Sequence, residues 1–189
     1  MDRVAEAGRI RSSARLVCSG REVEKSIGTM AERITVELAD KNPVVLAVMH
    51  GGVFTAIHLC RHFDFPYEFD YVHATRYQGD LTGGALTWHV RPSPALAGRS
   101  VLLVDDVLDR GLTLSELQRE LERVGVADAR SAVLVSKRIE PPVARPAVDF
   151  VGLHTEDVYL FGCGMDYKGY WRGLPELYAV DSRCSAPSP

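Results

Sequence analysis

The chain reads as an α/β fold, a parallel-sheet core flanked by helices, and three observations predict it. Val44–Met49 is a short, almost wholly apolar run rich in Val, the pattern of a strand buried on both faces. Residues 20–40 before it carry Val23, Ile27, Met30, Ile34 and Leu38 at helical spacing. From Ser100 onward, strand-like and helix-like segments alternate again, as expected of helices connecting parallel strands.

The elements follow in order. Asn42-Pro43 ends the first long helix and leads into the strand Val44–Met49. The Gly51-Gly52 turn opens a helix over about Val53–His62, and Tyr67–Ala74 is the next strand. Arg76–Gly84 holds three glycines and few apolar anchors, the composition of a mobile loop, before a strand at Ala85–Val90. Ser100–Val104 is a buried strand, Leu112–Val124 a helix stopped by Gly125, and Ala129–Val135 another strand. The final third has strands near Phe150–Leu153 and Val158–Phe161 without a long helix, and reads as a sheet edge or a small cap over the site. One domain is expected over 1–189, with an N-terminal extension at 1–19 and a tail at 181–189 to which the sequence assigns no role.

Composition excludes several function classes. Hydrophobic residues make up 46% and charged residues 25%, the range of an ordinary globular protein. A net charge of −3 supplies no broad basic surface, so nucleic acid is not the expected partner. Cys18, Cys60, Cys163 and Cys184 form no CxxC pair, which suits free thiols in a reducing compartment and speaks against zinc. No stretch approaches the ~20 apolar residues needed to cross a bilayer, so no membrane span is expected. The arginines of the first fifteen residues are followed by no apolar leader; Asp2 and Glu6 argue against a transit peptide, and a cytoplasmic setting is the expectation.

The chemistry concentrates in VLLVDDVLDRGLTL, Val101–Leu114. An apolar strand runs directly into Asp105, Asp106 and Asp109, then Gly111, Thr113 and a helix, and ligands in open α/β sheets bind at the carboxyl ends of strands. Asp105 and Asp106 suit sugar hydroxyls or a magnesium-bound water, since carboxylates accept hydrogen bonds and hard cations prefer oxygen. From Asp109 through Arg110, Gly111, Leu112 and Thr113, backbone amides leading into a helix can surround a phosphate, favoured by the helix dipole. The plain alternative for such a segment is a solvated turn with a helix cap.

The spacing of strand, Asp-Asp, two apolar residues, Asp, Gly and Thr closely resembles the phosphoribosyl diphosphate signature of type I phosphoribosyltransferases. From about Val44 to Val180 the chain resembles the hypoxanthine-guanine phosphoribosyltransferase family. That resemblance implies a type I phosphoribosyltransferase-like core with a small hood from terminal segments, and transfer of phosphoribosyl from phosphoribosyl diphosphate to a 6-oxopurine. Met49-His50-Gly51 lies where the family has its short pyrophosphate loop, with His50 in place of lysine. Binding through the backbone tolerates that change; binding through side-chain charge would alter pyrophosphate affinity or pH dependence.

Arg76 and Tyr77, with the glycines that follow, resemble the family's flexible catalytic loop, whose closure excludes water. Arg110-Gly111-Leu112-Thr113 departs from the family's Thr-Gly-Lys-Thr, keeping the backbone cradle while losing a side-chain hydroxyl. Lys137 matches the lysine that recognises the purine 6-oxygen, Tyr159 the aromatic that stacks on the base, and Leu160 the neighbour whose backbone meets the base edge. Asp166 matches a magnesium-linked carboxylate, with Asp105 and Asp106 as further metal-serving acids, and Arg172 a pyrophosphate-binding arginine. Asp109 is then the candidate for proton transfer at purine N7. The resemblance implies Mg2+ as cofactor and a homodimer or homotetramer. A xanthine-preferring relative and a non-catalytic sensor of phosphoribosyl diphosphate are the competing readings; Asp109, Lys137, Asp166 and Arg172 together favour catalysis.

Overall fold

The computed structural model describes residues 2–76 and 86–180. In chain order these form α1 (Arg3–Ser13), β1 (Arg15–Cys18), α2 (Gly20–Leu38), β2 (Val44–Met49), α3 (Gly52–Cys60), β3 (Glu68–Arg76), β4 (Leu86–Val90), β5 (Ser100–Leu108), α4 (Leu112–Val124), β6 (Asp128–Arg138), β7 (Phe150–Glu156), β8 (Leu160–Phe161) and β9 (Leu177–Ala179). A six-stranded sheet has the order β4-β3-β2-β5-β6-β7, parallel except for β4. The chain runs outward from β2 to β3 on one side and from β5 to β6 and β7 on the other. The crevice between the carboxyl ends of β2 and β5 is therefore the topological switch point, where such sheets bind ligands.

Alternation along the buried strands explains how both faces are covered. Val45, Ala47, Leu102 and Val104 pack against α2 and α3 through Ile27, Met30, Ile34 and Leu59. Val44, Leu46, Val101 and Leu103 turn to the other face, against Leu114, Leu117 and Leu121 of α4. Ser19 and Glu22 close a capping box at the start of α2, so its first turn is satisfied locally.

Two strands run further than their apolar stretches predict. β5 continues past Val104 because Asp105, Val107 and Leu108 stay paired with Val133, Val135 and Ser136 of β6. β6 continues to Arg138 because Lys137 and Arg138 pair with Thr155 and Glu156 of β7. The acids and the lysine thus project from hydrogen-bonded backbone instead of a loop. Tyr77 and the rest of the expected mobile loop lie outside the described residues, as does the tail at 181–189; Arg76 closes β3, paired with Leu86.

Residues 2–19, read from sequence as part of an extension, are structured. β1 pairs antiparallel with β9, which pairs with β8, giving a three-stranded hood. Ile10 of α1 packs with Phe161, Tyr178 and Val180 in a core of its own.

Candidate active site

Two clefts meet at the end of β5. One, about 410 Å³, is lined by Met49, Gly51, Asp105, Asp106 and the turn Asp109–Thr113. The other, about 250 Å³, is lined by Lys137, Tyr159, Leu160, Met165 and Asp166. Asp106, Val107 and Asp109 line both, so a ligand in the first cleft and one in the second share a wall.

The first cleft is built from backbone. Gly111, the residue before α4, has φ +75°, a left-handed conformation that glycine adopts without steric cost. It opens the helix N-terminus to the cleft, and Pro146 packs so close that a Cβ there would collide with its ring. Thr113 and Leu112 occupy the first turn of α4, while Leu112 and Arg110 are exposed at its rim. Across the cleft, a Cβ on Gly51 would overlap the Asp106 carboxylate, so the turn after β2 and the acids of β5 touch directly. The Met49–His50 peptide is cis.

Asp105 and Asp106 are surrounded by protein although each keeps some exposure. Burial pushes the Asp105 carboxyl well above its ordinary value, and the neighbouring Asp106 charge adds to that. Asp106 is also raised by burial, with bonding from Asp105 and the positive charge of Arg172 partly offsetting it. The Asp106 amide donates to Asp105 Oδ1 at 2.9 Å. A buried like-charge pair with spare oxygens suits a hard cation. No three or more His, Cys, Asp or Glu side chains among the described residues are grouped to hold a metal. The three acids expected to serve magnesium therefore do not form one cage: Asp166 lines the second cleft, bound to Arg172 at 2.6 Å and accepting from the Gly169 amide. This donor set fits Mg2+ held by one or two carboxylates together with substrate phosphates, the usual habit of that ion.

The second cleft is organised by Lys137. Its ammonium lies 3.2 Å from Asp109 Oδ2 and 3.3 Å from Asp157 Oδ1, and its side chain is only 11% exposed. Oδ1 of Asp109 is buried and has no hydrogen-bond partner. Tyr159 is 53% exposed, an open ring face, with its hydroxyl donating to the Asp166 carbonyl at 3.1 Å; Leu160 beside it is buried. Arg172 donates to the Gly164 carbonyl at 2.7 Å, and Gly164 itself lies against the Gly51 carbonyl. Arg172 is thereby placed between Asp166 and the turn carrying His50.

His50 is exposed and meets His73 edge-on, with ring centroids 4.6 Å apart; His73 in turn lies 4.5 Å from His89. Burial, then the His50 and His89 charges, lowers the His73 pKa. Sequence reading missed His73, His89, Asp157 and Arg145, because none belongs to a spaced motif. Asp157, two residues before Tyr159, carried only a proximity signal.

Known proteins similar to this chain point to one family. Residues 18–168 match the model of the phosphoribosyl transferase domain. The hypoxanthine-guanine-xanthine phosphoribosyltransferase of Tritrichomonas foetus is 33% identical over 156 residues, covering 82% of this chain and 85% of that protein. The hypoxanthine-guanine phosphoribosyltransferase of Bacillus subtilis is 28% identical over 167 residues, covering 86% and 91%. Among solved structures, a ternary substrates complex of the Trypanosoma cruzi hypoxanthine phosphoribosyltransferase superposes with a TM-score of 0.82 at 25% identity, covering 92% and 98%. With the domain match spanning most of the chain and the two clefts meeting at the switch point, the chain belongs to the phosphoribosyl transferase family, among the hypoxanthine-guanine phosphoribosyltransferases.

Proposed function

We propose that the chain transfers the 5-phosphoribosyl group of phosphoribosyl diphosphate to N9 of hypoxanthine or guanine, giving IMP or GMP and pyrophosphate. The observation that carries this reading is the shared wall: a phosphate-sized backbone cradle and a lysine-bearing aromatic cleft joined through Asp106 and Asp109. The 5′-phosphate would lie on the amides of Gly111–Thr113, favoured by the α4 dipole. Asp105 and Asp106 would hold the ribose hydroxyls. The base would stack on Tyr159, with its 6-oxygen accepting from Lys137; an ammonium only donates, which disfavours the 6-amino group of adenine.

Asp109 would hold the proton at purine N7 as N9 bonds to the anomeric carbon, and its position lining both clefts supports that role. A positioned proton relay contributes roughly 10²–10⁴-fold. Arg172, with the backbone turn at His50 and Gly51, would meet the departing pyrophosphate and offset its growing charge. Bound Mg2+ would supply charge neutralisation for the diphosphate, held through the Asp105–Asp106 side of the cleft. Free thiols at Cys18, Cys60 and Cys163 support a reducing, cytoplasmic setting. No helix among the described residues is long and apolar enough to cross a membrane.

Initial rates of pyrophosphate release, with hypoxanthine, guanine, xanthine and adenine compared in parallel, test the reading. The Tritrichomonas relative carries xanthine in its name, which is why that base belongs in the panel. Turnover with hypoxanthine or guanine and none with adenine is expected. Turnover with xanthine alone would replace the substrate assignment, and no turnover with any base would overturn the reading.

A further inference from the structure

Between β6 and β7 the chain passes through a proline-rich segment that appears in no motif, and its one long cation, Arg145, turns inward. Arg145 Nη1 donates to two main-chain carbonyls, that of Lys137 at 2.7 Å and that of Asp109 at 3.2 Å. One nitrogen carries two hydrogens, so both bonds form at once. The residues joined are those that face the base and the shared wall, and their side chains are joined again through Lys137 Nζ and Asp109 Oδ2. The neighbours of Arg145 press the same way: Pro146 closes over Gly111, and Gln118 of α4 donates to the Ala147 carbonyl at 3.2 Å. The segment thus clasps the phosphate turn to the strand that bears Lys137.

We propose that Arg145 is a positioning residue whose paired donation to the Asp109 and Lys137 carbonyls sets the span between the phosphate cradle and the base cleft. This inference rests on the phosphoribosyl-transfer reading above. The ribose is anchored by its 5′-phosphate at one end of that span and the base by Lys137 at the other. The distance between anomeric carbon and attacking nitrogen is therefore fixed by protein backbone, and a displacement of about 1 Å in such an arrangement costs up to roughly 10²-fold in rate. Each substrate, meeting only its own half, loses little affinity when the span loosens. A nucleotide monophosphate, which bridges both halves with a fixed internal length, loses more.

The test uses the full chain and two variants, Arg145→Met, which keeps the alkyl stem and removes the donors, and Arg145→Lys, which restores a cation. The methionine variant is expected to lose roughly 10–100-fold in kcat. KM for phosphoribosyl diphosphate and for hypoxanthine should each stay within about threefold, while IMP affinity falls by about tenfold or more, changes that a merely local brace would not separate in this way. The lysine variant should recover part of the kcat. A methionine variant with wild-type kcat and IMP affinity, or one whose two KM values rise while kcat holds, overturns the assignment. Should the methionine variant not fold, the lysine variant decides: reduced kcat at unchanged KM keeps the proposal, and wild-type kcat removes it. Wild-type turnover, measured alongside, separates this outcome from failure of the phosphoribosyl-transfer reading itself.

Discussion

The two halves of the site are held by different forces. Asp105, Asp106, Lys137 and the turn at Gly111 hang from β5 and β6, central strands of a six-stranded sheet whose ends at Asp105–Leu108 and Lys137 stay paired with β6 and β7 respectively. Asp166 and Arg172 instead ride on a run of turns between β8 and β9, with only isolated bridges at Gly162–Met165 and Tyr167–Tyr170. That run is braced from outside by α1: Trp171 Nε1 donates to the Ala7 carbonyl at 3.0 Å, while Tyr167 and Lys168 both reach Glu6 Oε1, at 2.8 and 2.7 Å. A ladder distributes a perturbation over many bonds, whereas this brace is a few separate side-chain bonds, two of which end on Glu6 while a further one runs from Arg3 to the Lys168 carbonyl.

That contrast can be broken most sharply at the rigid end. Asp109→Asn keeps the shape of the shared wall but takes away the base for N7; kcat should fall by about 10²-fold or more with little change in either KM, and steady-state rates check it. Unchanged turnover would remove Asp109 from the chemistry. Lys137→Met should raise KM for hypoxanthine by roughly 10–100-fold, the worth of a charged hydrogen bond, and leave Asp109 and Asp157 facing each other without a cation. If KM for phosphoribosyl diphosphate rose equally, the lysine would be holding the wall and not reading the base.

Stability gives the smaller effects. Asp105→Asn relieves a buried like-charge pair while its amide oxygen can still accept from the Asp106 amide, so the unliganded protein should melt higher by roughly 2–4 °C, about 1 kcal/mol at this size, even as ribose binding is lost. A lower melting temperature would mean that the Asp105 charge is already compensated. At the hood the sign reverses. Bonding from Lys168, then from Tyr167, holds the Glu6 carboxyl below its ordinary value, so the bracing it gives is present above the usual carboxylate range and lost as pH falls through the lowered value. Glu6→Gln should therefore abolish a small acid-side loss of stability seen in the wild type, read from melting temperature against pH; identical profiles would show that α1 is held by Trp171 and Ile10 instead.

The same division decides what the sequence revealed. β2 and α4 were legible to their end residues, because a wholly apolar run and a helical period ending at Gly125 are local signals. The strand ends at Asp105–Leu108 and Ser136–Arg138 were read short, since polar side chains mask a backbone that stays paired with its neighbours. α1 and β1 were missed. α1 is capped by Asp2 and carries only Ala7 and Ile10 as buried residues, too few to make a stripe, and β1 exists by pairing with a strand some 160 residues away. Arg145 and Asp157 escaped for a related reason: Arg145 acts through the carbonyls of Asp109 and Lys137 and Asp157 through the Lys137 ammonium, contacts made across neighbouring strands that no spacing rule reports.

The contact between Gly51 and the Asp106 carboxylate divides the turn after β2 into an open and a closed position. Residue 50 faces solvent, so the side chain there can change without disturbing the frame. Residue 51 has no such freedom, since even a methyl group would displace the Asp106 carboxylate. A randomised library over this turn should return many side chains at the first position and glycine alone at the second.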